Sequence, residues 1–261
     1  MPHSPTKQRP ELIHEDGQIL VAIKPPGLHS VPDRYDPAQP SLSVILGRDR
    51  SEVLVVHRLD KDTSGLVVMA LTPAAHRSLS MQFTNREVKK TYLALVKGAP
   101  EWDEKTLEFP LRVDADRRHR TRVDRQNGKP SVTRVRVLER FDSYSLVEAM
   151  PETGRTHQIR VHLVTAGHPV VADPLYGDGK PLMLSSFKHK YKPGRREERP
   201  LVARTALHAA TLEFRHPTTD NVASFSAPLF RDMKAARQQL RKFGSGNWVS
   251  PSNFNHDYLS R

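Results

Sequence analysis

The chain has 261 residues, with 41 lysines and arginines against 29 aspartates and glutamates and a formal net charge of +12. It has no cysteine, which excludes disulfides, thiolate catalysis and cysteine-based zinc sites. No apolar stretch approaches the roughly 20 residues that span a bilayer, and the polar start of the chain lacks the apolar core of a secretory signal. These features predict a cytoplasmic protein without a membrane segment, and the charge favours a polyanionic partner such as nucleic acid.

Runs of apolar and β-branched residues predict the strands of the first half of the chain, which are 19–23, 53–56, 66–71 and 91–96. One helix is predicted among them. Thr72 supplies an N-cap ahead of a proline that suits the first helical position. Ala75, Leu79 and Phe83 then repeat at four-residue spacing, so the helix should end near residue 86.

Further strands are predicted in the second half, at 106–113, 131–138, 144–149, 207–214 and 222–226. Residues 156–165 form a predicted short helix that Gly167 stops. A last amphipathic helix is marked by apolar residues at helical spacing, namely Leu229, Met233, Ala236, Leu240 and Phe243. Many strands with few helices predict an α+β fold, with a largely antiparallel mixed β-sheet flanked by helices and loops.

The sequence shows no internal repeat and no clear linker. We expect three parts, which are a flexible N-terminal extension at 1–11, one domain at 12–243 and a C-terminal tail at 244–261. The domain contains two loops rich in basic residues and turn formers, at 112–129 (the first basic loop) and 178–205 (the second basic loop). The first basic loop and the segment 188–199 of the second each carry an excess of four positive charges. Such clustering favours phosphate contact over a merely solvated surface.

Polar residues collect at the edges of three apolar runs, at 57–65, 89–92 and 152–162. A metal site is the first chemistry to consider there. His157 and His162 are five residues apart, which puts them on different faces of a helix, and no His-Glu-x-x-His spacing occurs. Nothing resembles a glycine-rich dinucleotide fingerprint or a phosphate loop either. We therefore predict no metal and no other cofactor.

A hydrolase triad is the second chemistry to consider. Ser64, His57 and Asp60 are close in sequence, but no nucleophile elbow surrounds Ser64. What remains is a carboxylate, an aromatic hydroxyl and a guanidinium on separate predicted elements, namely Asp60, Tyr92 and Arg160.

These three residues stand in motifs that resemble one known family. The motifs are His57-Arg58-Leu59-Asp60-x-x-Thr63-Ser64-Gly65, Lys90-x-Tyr92, Gly154-Arg155-Thr156-His157-Gln158-Ile159-Arg160-Val161-His162, and Gly167-His168-Pro169 with Asp173-Pro174-x-Tyr176-Gly177. An opening Glu15-Asp16-x-x-Ile19-Leu20-Val21-x-x-Lys24-Pro25-x-Gly27 is similar too. Together they resemble the RluA-type pseudouridine synthases, in family order, from about Leu12 to Pro228. The ordered set is far more specific than any single motif.

The resemblance implies the pseudouridine synthase fold and an RNA uridine isomerase, in which the base is detached from the ribose at N1 and rejoined at C5. Such a reaction uses no cofactor, no metal and no redox partner. The implied substrate is a uridine in structured ribosomal or transfer RNA, which must be extruded from its stack before it reacts. We expect 12–243 to be the catalytic domain of a cytoplasmic monomer without an obligate protein partner.

The resemblance also implies roles for single residues. Asp60 matches the catalytic aspartate, which acts as a nucleophile on the ribose or the base, or assists a glycal route. Arg160 matches the basic residue that pairs with it, and Tyr92 matches the tyrosine that stacks on uracil and is a candidate base for the C5 proton. A structural ion pair and an ordinary strand tyrosine are the alternatives. Arg58 matches the arginine that fills the gap in the RNA stack, with a surface ion pair to Asp62 as its alternative.

Many relatives in this family carry a separate N-terminal RNA-binding module of the S4 type. Only about eleven residues precede the matched region here, so we expect the catalytic domain to grip RNA itself. The first basic loop falls where family members have a hairpin loop that closes on RNA. The predicted RNA-contacting residues are Arg58, His57, Arg155, His157, Arg117, Arg118, Arg120, Arg122, Lys188, Lys190, Arg195 and Arg196. His57 has a second interpretation, as a structural histidine.

Two other classes of function stay open from the sequence. One is a non-catalytic RNA-binding or assembly factor on the same fold, which has no chemical need for Asp60, Tyr92 and Arg160 together. The other is an RNA hydrolase that uses Asp60 as a base. Hydrolysis adds water to the substrate, whereas isomerisation leaves the mass unchanged.

Overall fold

The structure of the protein is a computed structural model, which describes residues 9–194 and 197–244. In chain order its strands are β1 Glu11–Glu15, β2 Ile19–Lys24, β3 Leu54–Val55, β4 Ser64–Ala70, β5 Lys89–Lys97, β6 Glu104–Glu108, β7 Leu111–Arg112, β8 Arg122–Val123, β9 Val132–Phe141, β10 Tyr144–Pro151, β11 Leu207–Arg215 and β12 Val222–Ser226. Its helices are α1 Leu42–Gly47, α2 Pro73–Thr84, α3 Gln158–Thr165 and α4 Arg231–Phe243, with a 3-10 turn at Leu184–Ser186. Every helix in these ranges is too short or too polar to cross a membrane.

The chain forms two compact units. Unit 1 takes the chain up to Lys90 together with His208–Pro228. Unit 2 takes Thr91–Leu207 together with the chain from Leu229 onward. Each unit is therefore assembled from two separate stretches of chain.

Unit 1 contains a mixed sheet in which β1, β2, β4 and β11 follow one another, while β3 pairs with β4 and β12 with β11. β2 and β4 are antiparallel, from Ile19 opposite Ala70 to Lys24 opposite Gly65. β4 and β11 are parallel, with Gly65 opposite Ala209. A Cβ on Gly65 would lie 2.2 Å from the Ala209 carbonyl oxygen, and the φ of Gly65 is +115°. Only glycine therefore allows these two strands to approach so closely.

The core of unit 1 lies between this sheet and helix α2. Alternate residues of β2 and β4 pack against α2 and against Phe214 of β11. Thr72 caps the helix, because its hydroxyl oxygen accepts a hydrogen bond from the Ala75 N–H at 3.2 Å. Burial of each large apolar side chain stabilises the fold by about 2 kcal/mol. This apolar layer is the main support for the strands that flank residues 57–63.

Unit 2 contains an antiparallel sheet in which the strands follow the order β5, β10, β9 and β6. The hairpin of β9 and β10 is its longest feature, with strands of 10 and 8 residues. β5 pairs with β10, and Tyr92 lies opposite Ala149. β7 and β8 form a separate ladder in which Leu111 lies opposite Val123.

The predicted strands and helices are confirmed to within a few residues by β2 to β5, β9 to β12 and α2 to α4. The predicted strand at 106–113 is instead two short strands, β6 and β7, with Phe109 and Pro110 between them, because proline has no N–H to continue a ladder. β8, inside the first basic loop, was not predicted. α3 begins at Gln158, two residues later than predicted, because His157 takes a left-handed conformation with φ 56°. The sequence did not predict β1 or α1. β1 exposes Leu12 instead of alternating buried and exposed residues, and it includes Glu11, which was expected in the extension. α1 has six residues, too few for a helical period to show.

The first basic loop is more ordered than the sequence predicts. Leu111 and Lys129 exchange two backbone hydrogen bonds of 2.9 Å across its ends. In the second basic loop, the Leu182 N–H donates to the Val202 carbonyl at 2.8 Å and closes the loop. The predicted tail beyond residue 244 and the extension up to residue 8 lie outside the described residues.

Candidate active site

Asp60 lies half-buried in the loop that joins β3 to β4, at residues 57–63 (the Asp60 loop). Ser30 is buried beside it and holds the preceding residue. Its Oγ donates to the Leu59 carbonyl at 2.8 Å and accepts from the Leu59 N–H at 3.0 Å. The Thr63 N–H donates to the Asp60 carbonyl at 3.1 Å and closes a turn after it. The backbone on both sides of the carboxylate is thus fixed by protein groups, which is what a precise site requires.

Lys24 is the second support of the Asp60 loop. Its side chain has no solvent exposure, and its Nζ donates to the carbonyls of Lys61 at 2.9 Å, Leu28 at 2.8 Å and Pro25 at 3.0 Å. The Gly27 N–H donates to the Lys61 carbonyl as well, at 2.9 Å. An ammonium has three N–H donors, and a carbonyl stands at each of them. Since a buried charge needs such a set of partners, Lys24 ties the turn after β2 to this loop.

His57, at the start of the Asp60 loop, has the contacts of a packing residue. Its Nε2 accepts a hydrogen bond from the Val68 N–H at 3.1 Å, so the ring proton is on Nδ1. The ring stacks on Phe83 with centroids 4.6 Å apart. Burial and the nearby Lys90 ammonium lower the pKa of His57 to about 3. His57 is therefore uncharged at neutral pH, and its contact with RNA stays a prediction, as does that of the exposed Arg58.

Arg160 of α3, in unit 2, forms a two-point ion pair with Asp173. Its Nε donates to Oδ2 at 2.6 Å and its Nη2 to Oδ1 at 2.8 Å, and both side chains are buried. The N–H groups of Leu175 and Tyr176 also donate to Oδ1. Burial alone would raise the pKa of Asp173, but the hydrogen bonds from Arg160 and the backbone outweigh it and lower the pKa. The sequence did not predict this pair, and the pairing of Arg160 with Asp60 stays a prediction.

Tyr92 lies half-buried near the start of β5. It stands opposite Ala149 of β10 in the antiparallel register. A position on a paired strand gives its ring a defined direction. Its stacking on uracil and its role as a base stay predictions.

Gln158, the first residue of α3, holds the turn before that helix. Its Oε1 accepts from the Thr153 hydroxyl at 2.7 Å and from the Arg155 N–H at 3.0 Å. Its Nε2 donates to the Val132 carbonyl and to the Thr133 hydroxyl, both at 2.9 Å. The buried amide thus makes four hydrogen bonds, which fix the turn. The Nε of Arg155 is buried with no hydrogen-bond partner among the described residues, and its contact with RNA stays a prediction.

The hydroxyl of Tyr176 joins separate segments of unit 2. It accepts from the Thr121 N–H at 2.8 Å and lies 2.9 Å from His157 Nδ1. The Tyr176 ring centroid lies 5.1 Å from the guanidinium carbon of Arg160. The Thr121 hydroxyl donates to the Thr156 carbonyl at 2.8 Å. Burial raises the pKa of Tyr176, so its phenol keeps its proton at neutral pH.

The four arginines of the first basic loop that were predicted to contact RNA fall into two groups. Arg120 Nε and Arg122 Nη2 both donate to Asp116 Oδ2, at 2.7 and 2.8 Å. Burial opposes ionisation of Asp116, but hydrogen bonds from Arg120 and the loop backbone outweigh it and lower its pKa to about 2. Arg117 and Arg118 are exposed, and in the described ranges neither guanidinium has a carboxylate partner. Two of the four predicted arginines are thus engaged within the loop itself.

The second basic loop is described only in part. Lys188 Nζ lies 4.4 Å from the centroid of the Phe243 ring, a cation–π contact with α4. Lys190 is exposed. Arg195 and Arg196 lie outside the described residues. RNA contact by this loop stays a prediction.

The predicted site residues divide between the two units. Unit 1 carries Asp60, Arg58 and His57, whereas unit 2 carries Tyr92, Arg160, Arg155, His157 and the basic loops. Residues that the sequence reasoning missed are Lys24, Ser30, Asp116, Thr121, Asp173 and Tyr176. Lys24, Asp173 and Tyr176 lie inside the motifs shared with the family, which could have identified them as site residues, whereas Ser30 lies in none of these motifs.

Comparison with known proteins identifies the class. Residues 18–165 match the family described as RNA pseudouridylate synthase. Dual-specificity RNA pseudouridine synthase RluA of Escherichia coli K12 is 38% identical over 83% of this chain and 92% of its own length. Ribosomal large subunit pseudouridine synthase D of Neisseria meningitidis serogroup B is 39% identical over 88% of this chain and 61% of its own length. The solved structure of human RNA pseudouridylate synthase domain containing 4 has a TM-score of 0.66 and 26% identity, and covers 88% of this chain and 93% of its own.

The chain belongs to the RNA pseudouridylate synthase family, in its RluA type. The predicted family and the α+β pseudouridine synthase fold are thereby confirmed. The chain spans about three-fifths (61%) of the length of the Neisseria relatives that it matches.

Proposed function

We propose that the protein is an RNA pseudouridine synthase that isomerises uridine in structured ribosomal or transfer RNA. The observation that carries this proposal is the Asp60 loop. Its backbone is clamped by Ser30 at Leu59 and by the buried Lys24 at Lys61, on either side of a half-buried carboxylate. A fixed carboxylate is what a nucleophile at an anomeric carbon requires. Membership of the family supplies the reaction class.

The reaction is balanced without any other reactant. The bond from N1 to C1′ breaks, the uracil turns, and a bond from C5 to C1′ forms. C5 loses its proton and N1 ends with one, so the product has the mass of the substrate. If Asp60 attacks C1′ of the ribose, it is displaced when C5 bonds to that carbon. If it attacks the base, it is eliminated from the base after the bond from C5 to C1′ has formed and as C5 loses its proton. On the glycal route it removes and returns a sugar proton.

We propose that Arg160 and Tyr92 complete the site. A guanidinium carries five N–H donors, enough to serve both Asp173 and a second carboxylate, so Arg160 is chemically suited to pair with Asp60 as well. Tyr92 offers a flat ring for stacking on uracil and a hydroxyl for the C5 proton. Extrusion of the base costs a few kcal/mol, because the base must be unstacked. Arg58, which is exposed, would occupy the space that the base leaves.

The partner in this proposal is RNA, held largely through phosphate. The net charge of +12 and the exposed Arg117 and Arg118 support it. The matched relatives are named for the ribosomal large subunit or for dual specificity. We propose a monomer that works in the cytoplasm on one or a few uridines.

The test is tritium release from 5-tritiated uridine in total RNA, followed by mapping of pseudouridine with and without the gene. The wild-type protein should release tritium, and Asp60→Asn should release none while it still folds and binds RNA. Asp62→Asn, in the same loop, is the matched control and should stay active. Full turnover by Asp60→Asn would remove Asp60 from the mechanism. RNA binding by the wild type without release would favour an assembly factor, and a product of changed mass would favour a hydrolase.

A further inference from the structure

Thr121 lies in the middle of the first basic loop, just before β8, and is almost fully buried. Its N–H donates to the Tyr176 hydroxyl at 2.8 Å, and its own hydroxyl donates to the Thr156 carbonyl at 2.8 Å. Both hydrogen bonds tie the loop to segments that lie at least 35 residues away along the chain. Thr121 is therefore a buried anchor that ties the loop to the segments of Tyr176 and Thr156 by two hydrogen bonds.

Tyr176 also touches both members of the buried ion pair. Its ring centroid lies 5.1 Å from the Arg160 guanidinium carbon. Its backbone N–H donates to Asp173 Oδ1 at 3.1 Å, the oxygen that receives Arg160 Nη2 at 2.8 Å. One residue thus contacts the anchor of the loop, the arginine and the partner of the arginine.

We propose that Tyr176 is a positioning residue that couples the first basic loop to Arg160. Its side chain fixes the position of the RNA-binding loop relative to that arginine. The inference rests on the proposed function, because it assigns RNA to the loop and a catalytic pairing to Arg160. Beyond that function, the inference assigns a role to Tyr176, which acts through its contacts with Thr121 and Arg160.

The hydrogen bonds of the Tyr176 hydroxyl support the coupling. The oxygen accepts from the Thr121 N–H, and a protonated phenol has one hydrogen left to donate. The neighbour at 2.9 Å is His157 Nδ1, which accepts that hydrogen when the ring proton of His157 is on Nε2. His157 has φ 56°, a conformation that is strained for a residue with a side chain and persists only when its surroundings hold it. The Tyr176 hydroxyl is one of those surroundings.

The key variant is Tyr176→Phe, which removes one oxygen and keeps the ring over Arg160. Tyr144→Phe is the matched control, because within the described ranges the Tyr144 hydroxyl makes one long contact of 3.4 Å, to the exposed Ser186 hydroxyl. Loss of the hydroxyl leaves the buried Thr121 N–H without an acceptor. We expect opening of the loop to become about tenfold more frequent, as follows from the loss of one buried hydrogen bond.

The first readout is trypsin cleavage of the native protein after Arg117 and Arg118, which are exposed on the loop. Tyr176→Phe should be cleaved there about tenfold faster than the wild type, and Tyr144→Phe at the wild-type rate. This readout needs neither RNA nor activity. It therefore decides whether the loop is anchored even if the wild type forms no pseudouridine, a result that would refute the proposed function alone.

The second readout is a double-mutant cycle on single-turnover pseudouridine formation. The paired change Arg117→Ala and Arg118→Ala is made in the wild type and in Tyr176→Phe. If Tyr176 acts by coupling the loop to Arg160, its loss should lower the rate at saturating RNA as well as weaken binding, and the combined losses should be less than multiplicative. Trypsin cleavage of Tyr176→Phe at the wild-type rate would overturn the coupling. So would losses of activity in the double-mutant cycle that are strictly multiplicative.

Discussion

The buried ammonium of Lys24 donates to the carbonyl of Lys61, 37 residues further along the chain, at 2.9 Å. This hydrogen bond joins the turn after β2 to the loop that carries Asp60. Because its donor is a charged group whose side chain has no solvent exposure, it is stronger than a bond between neutral groups. The position of the Asp60 loop therefore depends on a lysine that need not touch the substrate.

Lys24→Met keeps the apolar stem and removes all three donors. We expect it to lower the free energy of unfolding by about 3 kcal/mol, because the carbonyls of Pro25, Leu28 and Lys61 each lose a hydrogen bond from a charged donor, and to slow single-turnover pseudouridine formation. Urea unfolding and a rapid-quench assay measure the two effects. Lys89→Met is the control, since Lys89 is 79% exposed and forms a surface ion pair with Glu213, and it should change stability by less than about 1 kcal/mol. An unaltered unfolding curve for Lys24→Met would contradict the role of Lys24.

Asp173→Asn should destabilise unit 2 by about 3 kcal/mol at neutral pH, because it removes the charged two-point partner from the buried guanidinium of Arg160. The pKa of Asp173 is lowered from 3.8 in the folded protein, so its ionised form stabilises the fold. That contribution is complete above pH 3.8 and is lost as the pH falls through the lowered pKa. The unfolding curves of variant and wild type should therefore converge in acid. Glu152→Gln, which removes an exposed partner of Arg134, should have little effect at any pH.

The arginines of the first basic loop should differ in their effect on RNA binding. Replacement of Arg117 and Arg118 by alanine should reduce the slope of log affinity against log salt by about 1 to 2, since each phosphate contact contributes about 0.7 to 0.9. Replacement of Arg120 should change the slope less, because its guanidinium is bound to Asp116 at 2.7 Å. Fluorescence anisotropy at four salt concentrations measures both slopes. An equal change of slope per arginine removed in the two variants would mean that the ion pair with Asp116 opens on RNA.

Asp116→Asn tests the same loop from the other side. It weakens the hold on Arg120 and Arg122, which donate to one carboxylate oxygen, and makes both available to phosphate. We expect a steeper salt dependence of RNA affinity than in the wild type, with a loop that trypsin cleaves faster. Asp114→Asn, at an exposed carboxylate of the same loop, is the control. A shallower slope in Asp116→Asn would show that order in the loop matters more than its net charge.

His57 should make the protein sensitive to acid. Its pKa is lowered from 6.5 to about 3, so the folded state binds fewer protons than the unfolded state between these values. Stability is therefore complete above pH 6.5 and falls as the pH drops toward about 3. His57→Gln keeps an acceptor for the Val68 N–H but does not titrate, so its urea midpoint should fall less between pH 7 and 4. Parallel pH profiles would show that other groups dominate acid unfolding.

Local patterns predicted most of the fold. The cap at Thr72 and the spacing of Ala75, Leu79 and Phe83 predict α2 because they depend only on neighbours along the chain. β1 was missed because its pairing with β2, rather than its own alternation, makes it a strand. The parallel pairing of β4 with β11 joins residues about 140 positions apart, which no local pattern contains.

The sequence predicted the residues of the candidate site but not the contacts that they make. Ordered motifs named Asp60, Tyr92 and Arg160, but motifs do not say which groups meet in space. The carbonyl partners of Lys24 and the pairing of Arg160 with Asp173 arise from tertiary contact. A count of charges likewise gave every arginine of the first basic loop the same weight, although Asp116 engages Arg120 and Arg122.

The pairing of β4 with β11 has a consequence for synthesis of the chain. The Ser64 hydroxyl lies 2.9 Å from His208 Nδ1, across 144 residues, and Gly65 lies opposite Ala209. On the ribosome, the sheet of unit 1 is completed only after residues 208–228 have been synthesised. Forming contacts between residues so far apart in sequence slows folding. The strand that follows the Asp60 loop lacks this neighbour until then. A truncated product of even 200 residues would carry every predicted catalytic residue and still leave unit 1 incomplete.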